Sequence, residues 1–115
     1  MKQYFSTVAA IVACIGAGSA LAEEAKHDKA VNASEIVTTV CAMCHGEDGN
    51  KMLTPETPKI GGQKGDYLAK AMRDYRSGNR KNPIMGAVAQ ALSDAEIEAL
   101  AGYFAAQESQ LYTLK

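Results

Sequence analysis

The stretch VCAMCHGEDG, Val40 to Gly49, decides how this chain is read. It holds two of the chain's three cysteines, Cys41 and Cys44, and one of its two histidines, His45. Such a concentration of scarce reactive side chains has three common uses. It can be a metal clip, a thiol redox pair, or an attachment point for a group the sequence does not show. The surrounding chain discriminates among them.

The compartment comes first. The opening MKQYFSTVAAIVACIGAGSALAEE has one early cation, Lys2, an apolar run from about Val8 to Ala20, and Ala20-Leu21-Ala22 ahead of Glu23 and Glu24. This is the order of a secretory signal peptide, with the cut expected after Ala22. The run is shorter than the roughly 20 apolar residues of a spanning helix, so no membrane span is expected once the signal is cleaved. IVAC faintly resembles a lipoprotein site at Cys14, but the apolar segment before it is too short, and Cys14 is expected to leave with the signal.

Of 115 residues, 93 then remain, enough for one small domain near the lower limit for an apolar core. Removing Lys2 leaves 11 Lys+Arg against 13 Asp+Glu, a net charge of −2 that gives no support to nucleic-acid binding. With no Trp and, once Phe5 leaves with the leader, a single Phe, an exported domain of this size calls for a staple or a cofactor.

Helical signals dominate the remaining 93 residues. Asn32 and Glu35 in NASE form a candidate capping box, after which Ile36, Val37 and Val40 recur at helical spacing and lead into Cys41. From Gly46 to Gly65 the Gly- and Pro-punctuated sequence reads as a long loop, a kind that in small domains tends to be functional. A second helix is expected from about Asp66 to Ser77, with Tyr67, Leu68, Ala71, Met72 and Tyr75 on one stripe and Gly78 as the stop. GNRKNPIMG reads as another loop. The last helix opens with the Ser93/Glu96 capping box and carries Ile97, Leu100, Ala101 and Phe104 on one face. There is no strand alternation and no internal repeat. The division expected is a leader 1–22, a flexible segment 23–33, a domain 34–107 and a tail 108–115.

C-x-x-C-H is the attachment signature of c-type haem. On a helical turn Cys41 and Cys44 stand at i,i+3 and Cys41 and His45 at i,i+4, so the three share a face. Two thiols so placed can form thioethers to the two vinyl groups of one porphyrin, with the imidazole beneath the iron. The competing uses are weaker. A structural zinc site needs two more ligands and only His27 is left. A thioredoxin-like pair should follow a strand. A disulfide across so small a loop adds little chain-entropy stabilisation.

The second axial ligand is open on the residues alone: Met43, Met52, Met72, Met85 and His27 are all candidates. Met43 lies inside the motif, Met72 on a helix stripe and His27 in the N-terminal segment. Met85 follows Pro83 on a loop far along the chain from His45. Lys70, Arg73, Arg76, Arg80 and Lys81 form a basic run, read first as a solvated face and alternatively as a docking or propionate-binding surface.

CAMCHGEDG, TPKIGGQ and YRSGNRKNPIMGAVAQALSDAEIEALAGYF together resemble the class I cytochromes c, specifically the small bacterial c4/c553-like monohaem domains, over about Ser34 to Gln107. The resemblance implies an all-α fold of three to five helices wrapped around one covalently attached haem c. It implies Cys41 and Cys44 as the thioether residues, His45 as the proximal ligand and Met85 as the distal one. Pro58 aligns with a loop proline whose carbonyl accepts a hydrogen bond from the proximal imidazole, and Arg80 is the candidate propionate contact. The first and last helices should pack crosswise, with Val37, Val40, Leu100, Tyr103 and Phe104 as the contact. The function implied is a periplasmic one-electron carrier, not an enzyme, exchanging electrons with redox proteins. The alternative is a haem subunit of a periplasmic dehydrogenase such as a sulfur-oxidising flavocytochrome.

Overall fold

The computed structural model describes residues 31–112. The expected leader, Cys14, His27 and most of the 23–33 segment lie outside these residues. The described chain is helical, with no strand among them.

The first helix is one continuous rod of three segments: α1 (Ala33–Ile36), a π-helical stretch (Val37–Cys41) and α2 (Ala42–His45). Asn32 caps it, its side chain accepting from the Glu35 amide at 3.3 Å. Only this half of the expected capping box forms among the described hydrogen bonds. Gly46, at φ 76°, ends the rod in a conformation that favours glycine.

α3 (Gly65–Ser77) stops at Gly78, which is left-handed at φ 83°. The region expected to be a ligand loop instead contains a helix, α4 (Pro83–Gln90). Asn82 caps it, accepting from the Ile84 and Met85 amides at 3.0 Å each, and Pro83 takes the first helical position, where its missing N–H costs nothing. α5 (Asp94–Ala105) opens on the full Ser93/Glu96 capping box, with bonds of 3.2 Å and 2.8 Å.

The core lies where α3, α5 and the first helix meet. Val37 and Ile97 are wholly buried, joined by Leu68 and Ala69 of α3 and Leu100, Ala101 and Phe104 of α5. Ile36, Ile60, Met72, Leu92 and Tyr103 pack around that cluster. α4 packs on α3, burying Ala89 completely.

Three positions depart from the expected helical stripes. Tyr67 is half exposed, while Ala69 takes a buried place in α3. Val40, expected at the contact between first and last helices, is 42% exposed. The π segment is the reason. A π turn holds more residues than an α turn, so residues within and beyond it fall behind α-helical phase, and Val40 swings off the face that Val37 occupies.

The basic run also resolves into internal contacts. Lys70 pairs with Asp74 within α3, Arg73 pairs across to Glu98 on α5, and Arg76 reaches Asp94 at 2.5 Å and the Leu92 carbonyl at 3.2 Å. Arg73 and Arg76 therefore tie α3 to the neighbouring helix and its approach.

Candidate functional site

The site is built at the C-terminal end of the first helix. Cys41 and Cys44 are both half-buried and carry free thiols, so no disulfide closes the motif. Burial pushes the Cys41 thiol above its ordinary range. A reactive redox cysteine requires the opposite, a lowered pKa that maintains the thiolate. The metal-clip alternative also lacks support: among the described residues, no group of three or more His, Cys, Asp or Glu side chains is arranged to hold a metal ion.

His45 is buried, with 7% of its surface exposed. Its Nδ1 lies 2.9 Å from the carbonyl oxygen of Pro58. A carbonyl can only accept, so this contact places the proton on Nδ1 and leaves Nε2 with its lone pair, the form in which imidazole ligates a metal.

Pro58 is delivered by the loop 46–64, which lacks regular structure and is held chiefly by its backbone. The Lys51 and Leu53 amides return to the carbonyls of His45 and Cys44, at 2.9 Å and 3.2 Å. The Ile60 and Gly61 amides both donate to Gly49 O, at 2.7 Å and 3.0 Å, and the Gly62 amide donates to Phe104 O on α5 at 2.8 Å. Tyr103 Oη donates to Glu47 O at 2.9 Å, and Asn50 Nδ2 to Glu108 O at 2.9 Å. The beginning of the expected tail is thus fastened across the loop.

The five candidates for the second axial position separate. Met43 is 69% exposed and Met52 47% exposed, whereas Met72 packs against the core. His27 lies outside the described residues. Met85 is half-buried on the first turn of α4, with its amide held by Asn82. Arg80 donates from Nη1 to Tyr67 Oη at 3.3 Å, and its guanidinium carbon lies 4.9 Å from the centroid of the Tyr75 ring. Two α3 tyrosines therefore restrain it, and its exposed side chain retains donors that can point outward.

Haem c fits this donor set: two free thiols at the required spacing, next to a buried imidazole whose ring orientation and tautomer are already set by a carbonyl. Sequence reasoning does not reach α4, the π turn or the tyrosine restraint on Arg80. The Asn82-Pro83 start signal is the one trace of α4; no local signal marks the other two.

The family model for cytochrome c matches residues 30–107. The chain is 34% identical, over 88% of its length, to the thiosulfate dehydrogenase electron acceptor of Stutzerimonas stutzeri, covering 47% of that protein. It is 39% identical to cytochrome c-554(548) of Halomonas halodenitrificans, over 70% of this chain and 98% of that protein. In structure it resembles reduced cytochrome c4 from Pseudomonas stutzeri, with a TM-score of 0.60 and 32% identity, over 70% of this chain and 49% of that one. The chain thus spans about half the length of two of these proteins and nearly all of the third. The family match over most of the chain, on a helical fold with a C-x-x-C-H site, shows that this chain belongs to the cytochrome c family, whose members are electron-transfer proteins with covalently held haem c.

Proposed function

We propose that the chain is a periplasmic one-electron carrier holding a single haem c, with His45 and Met85 as axial ligands and Cys41 and Cys44 as the thioether residues. The observation that carries this reading is the buried His45 imidazole, bonded through Nδ1 to Pro58 O beside two free half-buried thiols. Haem bound there supplies a one-electron couple at iron.

The chain's own residues set the conditions for that couple. Pro58 O fixes the imidazole ring and raises its basicity. Met85 offers a neutral, soft thioether, which favours ferrous iron and a higher potential than a second imidazole would. An apolar surrounding, such as the core cluster against which Cys41 packs, would disfavour the extra charge of ferric iron and act in the same direction. Arg80, restrained by Tyr67 and Tyr75, is the candidate partner for a propionate. If His45 and Met85 both hold the iron, no position would be left on it for a substrate. The signal-peptide pattern in the sequence of residues 1–22 is what supports the periplasmic part of this reading.

A second reading has a specific observation behind it. One relative is named as an electron acceptor of thiosulfate dehydrogenase, which supports a role beside a dehydrogenase of sulfur metabolism. Gel filtration of native extract distinguishes the two, since a free carrier elutes alone and a fixed subunit elutes with its enzyme.

The test of ligation is a redox titration followed by absorbance on the purified holoprotein. The reduced native protein is expected to resist carbon monoxide and Met85→Ala to bind it. Strong carbon monoxide binding by the native protein would remove Met85 from the site.

A further inference from the structure

The geometry points to Thr38 and Thr39 as positioning residues that hold open the π turn and thereby aim His45 at the buried face. This rests on the reading of His45 as the proximal haem ligand. Val37, with none of its surface exposed, marks the direction of the core from the first helix. His45 lies eight residues further on. In an uninterrupted α-helix eight residues overshoot two full turns by about 80°, which would leave the imidazole on the flank of the helix.

The π segment changes that phase. It closes through the Ala42 amide on Val37 O, an i→i+5 bond, and an additional residue in the turn sets everything beyond it back by at most about 100°, one residue's rotation. A lag of that order offsets the overshoot. His45 returns to the direction of Val37, in keeping with its 7% exposure and its bond to Pro58 O. The same lag accounts for the outward position of Val40, while Cys41 remains packed against the core cluster.

Two hydroxyls of the π turn bond back to carbonyls of the α turn that precedes it. Thr38 Oγ1 lies 3.0 Å from Ser34 O and 3.1 Å from Glu35 O, and Thr39 Oγ1 donates to Glu35 O at 2.7 Å. Hydroxyls that bond back to the carbonyl one turn earlier often bend helices, and helix bends occur where a side chain enters the backbone ladder or a π turn interrupts it. Two of them in succession lie inside the one widened turn of this chain's described residues. Neither threonine enters the core, so their effect on the site passes through the backbone.

The test compares Thr38→Val/Thr39→Val and Thr38→Ser/Thr39→Ser with wild type as purified holoproteins. Valine keeps the β-branched shape and removes the hydroxyl; serine keeps the hydroxyl. The first readout is hydrogen exchange of the His45 Nδ1 proton by NMR in the reduced form. The second is the fraction of haem held by both thioethers, from intact mass and the pyridine haemochrome spectrum. The valine pair is expected to exchange about tenfold faster and to carry a larger single-thioether fraction, with the serine pair restoring both. Ile97→Val, which loosens the core without touching the turn, should lower the melting temperature and leave both readouts unchanged. If the valine pair does not accumulate, Thr39→Val alone is measured in the same way. Wild-type exchange and attachment in the valine variant, or an equal change in Ile97→Val, would overturn the inference. A wild-type chain without covalent haem would overturn the functional reading itself, and this inference with it.

Discussion

Gly61 is the position where adding one carbon should do most damage to the site without touching a candidate ligand. A Cβ built there would lie 2.2 Å from Asp48 O and 2.7 Å from Asn50 Nδ2. A carbon–oxygen contact needs about 3.3 Å, so the loop must move by roughly 1 Å. That movement strains the pair of amide bonds from Ile60 and Gly61 to Gly49 O, of which at least one is lost. Overpacking costs about 1–3 kcal/mol and a lost backbone bond about 1 kcal/mol. Reduced freedom of the unfolded chain offsets about 0.4–1 kcal/mol. The net expectation for Gly61→Ala is a loss of about 1–3.6 kcal/mol. Gly102, exposed on α5, is the internal control, because a Cβ there meets nothing within 4 Å. Gly102→Ala should gain about 0.5–1 kcal/mol from helix propensity alone. The assay is denaturant unfolding of both holoproteins, followed in the far ultraviolet and at the haem band. Pro58 lies three residues before Gly61, so the haem-band transition of Gly61→Ala should come at lower denaturant than its helix transition. A Gly61→Ala protein within 1 kcal/mol of wild type, with coincident transitions, would refute the view that the loop is held by that close approach.

Other consequences are more local. Asn82→Ala removes both cap bonds to α4 and should cost about 1 kcal/mol, as should Ser93→Ala at α5. If Met85 holds the iron as proposed, only Asn82→Ala should raise carbon monoxide binding by the reduced protein, because its cap holds the Met85 amide; equal binding in the two variants would show that the cap does not steady Met85. Asp94 titrates below its ordinary value of 3.8 because Arg76 hydrogen-bonds to it and attracts its charge. A carboxyl lowered on folding stabilises above its unfolded pKa, and that stabilisation is lost as pH falls through the lower, folded pKa. Wild type should therefore exceed Asp94→Asn in stability at neutral pH, with the gap closing on acidification below about 4. A gap that persists in strong acid would mean the ion pair is not its source.

How much of the structure is legible in the sequence depends on the range of each signal. Ser93 and Glu96 satisfy each other within three residues, and Gly78 ends its own helix, so both can be read locally. The α4 helix is hidden because Asn82-Pro83 is a turn signal as well as a helix start, and Gly86 weakens the helical pattern inside the segment. Arg73 and Arg76 look like members of a basic face because their acidic partners, Glu98 and Asp94, lie 25 and 18 residues further on. Only packing of α3 beside α5 brings them together. Val40 shows the limit most directly. Its spacing from Val37 fits an α-helix, and a single extra residue in one turn, invisible to composition, removes it from the core.

The main-chain character of the site explains why its chemistry is written in so few side chains. His45 is oriented by a carbonyl, the carbonyl is placed by a loop fastened through amides, and the loop meets α5 through the Gly62 amide and Phe104 O. None of those groups is removed by an ordinary substitution at its own position, since alanine at Pro58 would still present the acceptor. The constraint passes instead to residues that decide where backbone can lie. Gly61 permits contact with Asp48, and Gly62, at φ 72°, permits contact with Ser109. Thr38 and Thr39 accompany the turn that brings His45 round. A C-x-x-C-H motif supplies the reacting atoms, but their direction depends on glycines and threonines that carry no chemistry of their own. A chain that kept the five motif residues and lost these would retain the means of attachment while losing the geometry that orients the His45 imidazole.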